Sequence, residues 1–192
     1  PSYIILQSLD NVNKLLHDSP CYFDKTICRL DKLKARLADC GYTLVGDERL
    51  KLTIATKPYG YTGEEVASCL ESKSIYVEFC DKDFVTMMFS PCNKKGDFIK
   101  VQKALTSLPK RDEINIAPPT AHILEVGMDM STALFAPYEI VAVNDAVGRI
   151  LSSPTVSCPP AIPVAVCGEI IDDKAVEIMK YYSIDTCVVV KK

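Results

Sequence analysis

The chain has 192 residues, 48% of them hydrophobic and 24% charged, enough for one substantial core or two small ones and too apolar for a disordered tail. Twelve Pro and eight Gly exclude a collagen-like or low-complexity chain, and no apolar run approaches the roughly 18 residues that span a bilayer, so no membrane partner is expected. Lys plus Arg is 22 against 25 for Asp plus Glu, a net charge of -3, which leaves no global positive field for a phosphate backbone and removes nucleic acid from the expected partners.

Residues 3 to 17 and 22 to 40 both carry helical spacing. In the second, Phe23, Ile27, Leu30, Leu33 and Leu37 recur every three or four positions, and Gly41 ends the pattern. Asp18-Ser19-Pro20 separates the two, because Pro is poorly tolerated inside a helix and biases its predecessor away from helical geometry. Leu50 to Thr56 reads as a strand, Pro58 to Gly63 as a turn, and Thr62-Gly63-Glu64-Glu65 as a capping box opening a helix through about Ser72. Ile75 to Cys80 and Phe84 to Ser90 are β-rich runs joined by Asp81-Lys82-Asp83, a hairpin. A helix from about Asp97 to Leu108 follows. This order predicts a small α/β layer with helices on one side of a mainly antiparallel sheet.

Residues 109 to 121, with Pro109, Pro118 and Pro119, read as a connection. Beyond it the spacing predicts short helices around Asp129 to Phe135 and Asn144 to Leu151, an apolar strand Val164 to Cys167, a helix Asp172 to Tyr182 and a final strand Thr186 to Val190. The nine Cys are an odd number with no CxxC or CxC pair among them, so neither a zinc cage nor a complete disulfide framework fits. Cys28, Cys69 and Cys187 fall within apolar patterning, where a free thiol acts as a small hydrophobe, as suits a reducing cytoplasm. No metal site is expected, with His17 and His122 the only histidines.

Three features could carry chemistry. Glu78 is a lone carboxylate inside Ile75-Tyr76-Val77-Glu78-Phe79-Cys80, where alternation places Ile75, Val77 and Phe79 on one face and Glu78 on the other; read alone, it is an ordinary acid on a solvated strand face. Cys158-Pro159-Pro160-Ala161-Ile162-Pro163, leading to Cys167-Gly168-Glu169, must be extended and rigid, suited to covering a sheet edge or shaping a pocket wall. In Val147-Gly148-Arg149-Ile150, Arg149 could clamp a carboxylate, most simply one of the chain's own. No GxGxxG, P-loop, GxSxG or HExxH string occurs.

At four places, in order, the chain resembles the C-terminal half of the Orn/Lys/Arg decarboxylases, pyridoxal-phosphate enzymes with the aspartate-aminotransferase-like fold. Pro1 to Asp10 resembles the family's Ser-Pro-Ser-Tyr segment running into a helix; Gly60 to Phe79 its small-domain helix and strand, with Glu78 in the matching acidic position; Asn144 to Ile150 its Ala-Val-Gly-Arg-Ile element; and Cys158 to Glu169 its Tyr-Pro-Pro-Gly-Ile-Pro stretch and Pro-Gly-Glu. Cys158, Ala161 and Cys167 depart from the family's Tyr, Gly and Pro, so a Tyr-dependent role is not carried over.

The resemblance implies an α/β (α+β) fold, the small C-terminal domain of a fold-type I pyridoxal-phosphate enzyme preceded by long helices. On that reading residues 1–45 are a helical segment remaining from a large domain and linker helix, 46–112 the small α/β domain, 113–136 a connection and 137–192 a C-terminal decarboxylase-type unit. It implies a decarboxylase of lysine, arginine or ornithine, dimeric or of higher order, whose pyridoxal phosphate is anchored to a Lys following a His. No His-Lys pair occurs in this sequence, and Pro1 reads as cut from something longer, so the chain by itself is expected to be inactive. By the same resemblance Glu78 faces the distal cation of a basic amino-acid substrate and Asp81 adds a second charge. Ser2 and Tyr3 lie near the cofactor, and Arg149, Pro159, Pro160 and Glu169 shape the pocket. The competing expectation is a non-catalytic regulatory or assembly module that reuses the small-domain fold.

Overall fold

A computed structural model describes residues 2–158 and 162–192. The chain divides into two compact units, residues 1–114 and 115–192.

Unit 1 opens with α1 (Tyr3–Asp18) and α2 (Asp24–Asp39), separated by a turn at Ser19 to Phe23. The spacing of α2 has its expected consequence, since Ile27, Leu30, Leu33 and Leu37 are buried. Gly41 stops the helix with φ of +89°, a left-handed residue whose N–H reaches the carbonyl of Ala38, and the next N–H, of Tyr42, reaches that of Leu37. α1 buries no residue.

Next come β1 (Thr43–Val45), β2 (Lys51–Ala55), α3 (Gly63–Glu71), β3 (Phe79–Cys80), β4 (Phe84–Met88) and α4 (Lys95–Thr106). The strands form one antiparallel sheet in the order β1-β2-β4-β3. Period two sorts its faces. Leu52 opposite Met87 and Ile54 opposite Val85 point at the helices and join Leu30, Leu37, Val66, Leu70, Val101 and Leu105 in one core. Each such buried side chain stabilises the unit by roughly 1.5–3 kcal/mol relative to exposure. On the opposite face, the hydroxyls of Thr53 and Thr86 meet at 3.0 Å. The helices therefore lie on one side of an antiparallel sheet, the expected α+β arrangement. The capping box of α3 forms as read: the Thr62 side chain accepts from the Glu65 N–H, and the Glu65 carboxylate accepts from the Thr62 N–H.

Two expectations for this unit need correction. The strand read over Ile75 to Cys80 is regular only at Phe79–Cys80, and β4 ends at Met88 instead of Ser90. The chain bends at Glu78, so Val77 and Cys80 both pack toward the core while Phe79 stands opposite Thr86 on the other face. Strict alternation fails because the edge segment enters the sheet only at its last two residues. Cys28, read as a small core hydrophobe, is exposed; Cys69 is half-buried and Cys187 buried.

Unit 2 contains α5 (Met130–Phe135), β5 (Tyr138–Ala142), β6 (Thr155–Cys158), β7 (Ile162–Val166), α6 (Asp173–Tyr181) and β8 (Thr186–Val190). Asp129 and Asp172 cap α5 and α6 by accepting from the N–H groups of Thr132 and Ala175. β5 pairs with β8 and β6 with β7, both antiparallel, around a core of Leu151, Val164, Ile171, Val176, Met179, Cys187 and Val189.

The helix read over Asn144 to Leu151 does not form. A single 3-10 turn at Val143–Asp145 is followed by Gly148 at φ +73°, and residues 150 to 152 are extended. They pair on both sides: the Val190 N–H donates to Ile150 and the Ser152 N–H to Val188, while the Leu151 N–H donates to Glu169 and the Gly168 N–H to Leu151. Apolar spacing over eight residues could not distinguish a helix from a buried extended segment, and two flanking partners decide the matter in favour of the latter. β1, β5 and β6 were not foreseen; each has five residues or fewer, too short a run for its spacing to stand out.

Candidate functional site

The hairpin joining β3 to β4 is built by Asp81. Its Oδ1 accepts from the N–H groups of Asp83 at 2.8 Å and Phe84 at 2.7 Å, and its own N–H donates to the Phe84 carbonyl. This is the local use that favours Asp at turns, a side chain satisfying backbone donors two and three residues on. Asp81 is buried as a result. Gly63, the first residue of α3, lies against the hairpin so closely that a Cβ there would fall 2.1 Å from the Phe84 carbonyl oxygen and 2.3 Å from that of Asp81.

Asp83 is buried too, and its Oδ1 lies 2.7 Å from Lys57 Nζ. Lys57 sits in a 3-10 turn, Lys57–Tyr59, that follows β2, and Thr56 donates its N–H and its hydroxyl to the Asp83 carbonyl. Burial pushes the Cys80 thiol up, with the carboxylates of Glu64 and Asp81 adding to the effect. Asp83 thus pairs with one buried cation, while Glu64 and Asp81 act on the neighbouring Cys80 thiol. Sequence reading missed Lys57 and Asp83; the polar Asp81-Lys82-Asp83 run was the only signal, and it could not show which acid faces inward.

Glu78 behaves differently. Its backbone N–H is tied to the Thr86 carbonyl at 2.9 Å, which fixes the residue on β4, yet its side chain is exposed. Among the described residues its carboxylate has no hydrogen-bond or ion-pair partner. A concavity of about 290 Å³ opens beside the preceding residues, walled by Tyr76, Met87, Phe89, Asn93, Asp97 and Lys100. Neither Glu78 nor Asp81 lines it.

The remaining candidate residues are dispersed. Ser2 is exposed at the start of α1 and makes no side-chain cap, and Tyr3 is 86% exposed. The Arg149 guanidinium donates to Glu139 Oε1 at 2.5 Å and to the Val190 carbonyl at 2.7 Å, and this hydrogen bond is the main reason the Glu139 carboxyl titrates below its ordinary range. Glu169 Oε2 accepts from the Val166 N–H at 2.9 Å, closing the turn after β7. Both charges are used inside unit 2. Cys167 is buried, which raises its thiol, and Gly168 at φ +94° presses on the Met128 carbonyl. Pro159 and Pro160 lie outside the described residues.

Among the described residues no group of three His, Cys, Asp or Glu side chains could hold a metal ion, and no helix is long and apolar enough to cross a membrane. Nor do they assemble a pyridoxal-phosphate site. Lys57, the only lysine classed as buried among them, is ion-paired with Asp83, and Ser2 and Tyr3 face solvent.

Comparison with known proteins places the likeness. Residues 129–188 match the family model described as Orn/Lys/Arg decarboxylase, C-terminal domain. The chain is 28% identical to an arginine decarboxylase of Bacillus subtilis (strain 168) over 193 aligned residues, covering 90% of this chain and 39% of that protein. An arginine decarboxylase of Halalkalibacterium halodurans is likewise 28% identical over 90% of the chain and 39% of its own length. The chain thus spans about two fifths of these relatives. Among solved structures, lysine decarboxylase A from Pseudomonas aeruginosa superposes with a TM-score of 0.57 at 16% identity, covering 77% of this chain and 31% of that one. The constitutive lysine decarboxylase of E. coli gives 0.54 at 15%, covering 75% and 32%. At such identities the structural likeness is one of fold. The chain resembles the C-terminal part of the Orn/Lys/Arg decarboxylases in sequence and in fold.

Proposed function

We propose that the chain serves as the C-terminal part of a pyridoxal-phosphate-dependent decarboxylase of a basic amino acid, where it covers the substrate and supports the dimer. The observation that carries this reading is the likeness to arginine decarboxylases along 90% of the chain, which embraces the β3–β4 hairpin as well as the matched C-terminal unit. The cofactor supplies the electron sink for the carbanion left when CO2 departs. The described residues do not build its site, so no chemical step is assigned to them, and the chain alone is proposed to be inactive.

What the chain contributes on this reading is charge at the far end of the substrate. An ammonium or guanidinium leaving water needs a carboxylate to offset its lost hydration. Glu78 offers one, exposed and on a backbone fixed to β4, while Asp81 has its Oδ1 committed to the turn that carries it. Asp81 therefore acts through the position of Glu78 and the local field.

The test is CO2 release from lysine, arginine and ornithine with added pyridoxal phosphate, by this chain alone and by the complete product of its reading frame. The expected result is release from at least one substrate by the complete product and none by the chain alone. Glu78→Gln in the complete product should raise KM with a smaller effect on kcat. Absence of release from all three substrates overturns the enzyme reading in favour of a non-catalytic module, and an unchanged KM removes Glu78 from substrate binding.

A further inference from the structure

β5 has a partner on one edge only among the described residues, where it pairs with β8. The hydrogen-bond phase of that ladder can be read from its two ends: the Lys191 N–H donates to Pro137 and the Val143 N–H to Asp185. Hydrogen-bonded pairs alternate along an antiparallel ladder, so Glu139 and Val141 turn their backbone groups toward β8. Tyr138, Ile140 and Ala142 turn theirs to the open edge. The same three residues share one sheet face, where Tyr138 is 64% and Ile140 67% exposed.

An open edge with an apolar row is a template for another strand. The devices that protect such edges are sparse in this strand. No charged side chain lies in the outward row, and the one acid of the strand, Glu139, is neutralised by Arg149. The row is also self-complementary. If two copies of β5 meet antiparallel about a two-fold axis at Ile140, the outward groups of Ile140 pair with themselves, and those of Tyr138 pair with those of Ala142. Each large ring then meets a small methyl, the two Ile140 side chains meet on the axis, and no like charges are opposed. A closed isologous contact of this kind needs one patch that matches itself, which this patch does. Pairing by one residue more or less would set the outward groups of one copy against the spent groups of the other, and of the registers that remain, the one centred on Ile140 engages all three outward residues of both copies.

We propose that the β5 edge docks a second copy of this chain, joining the two β5–β8 ribbons into one antiparallel sheet through Tyr138, Ile140 and Ala142. The contact requires nothing of the decarboxylase reading and stands or falls apart from it.

Sedimentation and amide hydrogen exchange on the chain test the proposal, at concentrations up to about 1 mM so that weak association is seen. The expected result is a reversible dimer in which the amides of Tyr138, Ile140 and Ala142 become protected as the dimer fills. Ile140→Lys, which sets two ammonium groups on the axis, and Ile140→Pro, which removes only an outward donor, should each weaken the dimer by at least about tenfold while leaving the thermal midpoint of the monomer near that of the parent. A chain that stays monomeric overturns the proposal. So does a dimer whose three amides exchange at the monomer rate, an observation on the unaltered chain that holds even if a variant fails to fold. A dimer abolished by Leu9→Asp in the exposed face of α1 but indifferent to both Ile140 variants overturns it as well.

Discussion

Lys57 Nζ lies 2.7 Å from Asp83 Oδ1 with both side chains nearly buried, so the turn after β2 and the β3–β4 hairpin are fastened by an ion pair inside unit 1. Two charges removed from water cost more than one surface pair returns, and the pair is sustained by its geometry and by the hairpin around it. Removing one partner leaves the other charged and buried. Lys57→Met or Asp83→Asn alone should therefore lower unfolding free energy by about 3–5 kcal/mol, whereas the double replacement should recover a good part of the loss. Urea unfolding of the four proteins reads the coupling directly.

Three tyrosines perform a related task at the end of α4. Tyr42, Tyr59 and Tyr61 form a stack, with ring centroids 4.0 Å and 6.4 Å apart, and their hydroxyls donate to the carbonyls of Leu105, Leu108 and Pro109. They thus hold the helix terminus and the segment that leaves it. Burial pushes the Tyr42 hydroxyl far above its ordinary value, and the neighbouring tyrosines add to this. A raised folded-state value means that this stabilisation is complete below the unfolded value of about 10 and is lost as pH climbs beyond it. Stability should accordingly fall above about pH 10 with a slope that Tyr42→Phe reduces. At neutral pH, Tyr61→Phe should cost about 1 kcal/mol and speed amide exchange over residues 110 to 114. An unaltered alkaline slope in Tyr42→Phe would remove that residue from the account.

Unit 2 has its own fastening, at the start of α6. Asp172 caps the helix through Oδ1, and its Oδ2 lies 2.7 Å from His122 Nε2, which ties the segment before α5 to the helix terminus. Burial pushes the Asp172 carboxyl up, but the hydrogen bonds from Ala175 and His122 outweigh it and hold the group below its ordinary range. A lowered folded-state value gives stability that is present above the unfolded value of about 3.9 and is lost as pH falls through the folded one. Asp172→Ala should cost about 0.5–2 kcal/mol at neutral pH, and Asp172→Asn, which keeps a capping oxygen, clearly less. Thermal melts at pH 7 and pH 3 compare them; equal losses in both variants would mean that the His122 contact outweighs the cap.

Much of unit 1 is legible in the sequence because its signals are local and redundant. The apolar spacing of α2, the Thr62 capping box and the alternation of Leu52 and Ile54 each point to the element that forms. Residues 144 to 152 are not legible in the same way. Their backbone partners, Val188, Val190, Gly168 and Glu169, lie 17 or more residues away, and pairing with distant segments leaves no periodic trace. The site divides along the same line. Glu78 could be singled out as an acid in an apolar run, and the resemblance gave it a role to test. That Asp81 spends Oδ1 on two N–H groups, and that Asp83 faces Lys57, depends on how the hairpin closes. Arg149 illustrates both cases: its capacity for an ion pair was evident, but its partner, Glu139, belongs to a strand the sequence did not announce.

The contact between α3 and the hairpin yields the sharpest steric test, because two glycines in the first turns of their helices meet opposite surroundings. A Cβ on Gly63 would fall 2.1 Å and 2.3 Å from two backbone oxygens, of Phe84 and Asp81, and neither can turn aside as a side chain could. Gly96, near the start of α4, has nothing within 4 Å of the same position. Gly63→Ala must therefore push α3 from the hairpin or unseat the Asp81 turn, and should lose at least about 2 kcal/mol. Gly96→Ala restricts the unfolded chain without a clash and should gain about 0.5–1 kcal/mol. On the proposed reading, in which Glu78 meets the distal cation of the substrate, Gly63→Ala in the complete protein should also raise KM for the basic amino acid, whereas Gly96→Ala should leave it unchanged. Denaturant melts and steady-state kinetics on both variants separate the two effects, and a Gly63→Ala protein as stable as its parent would show that the hairpin yields to α3 without cost.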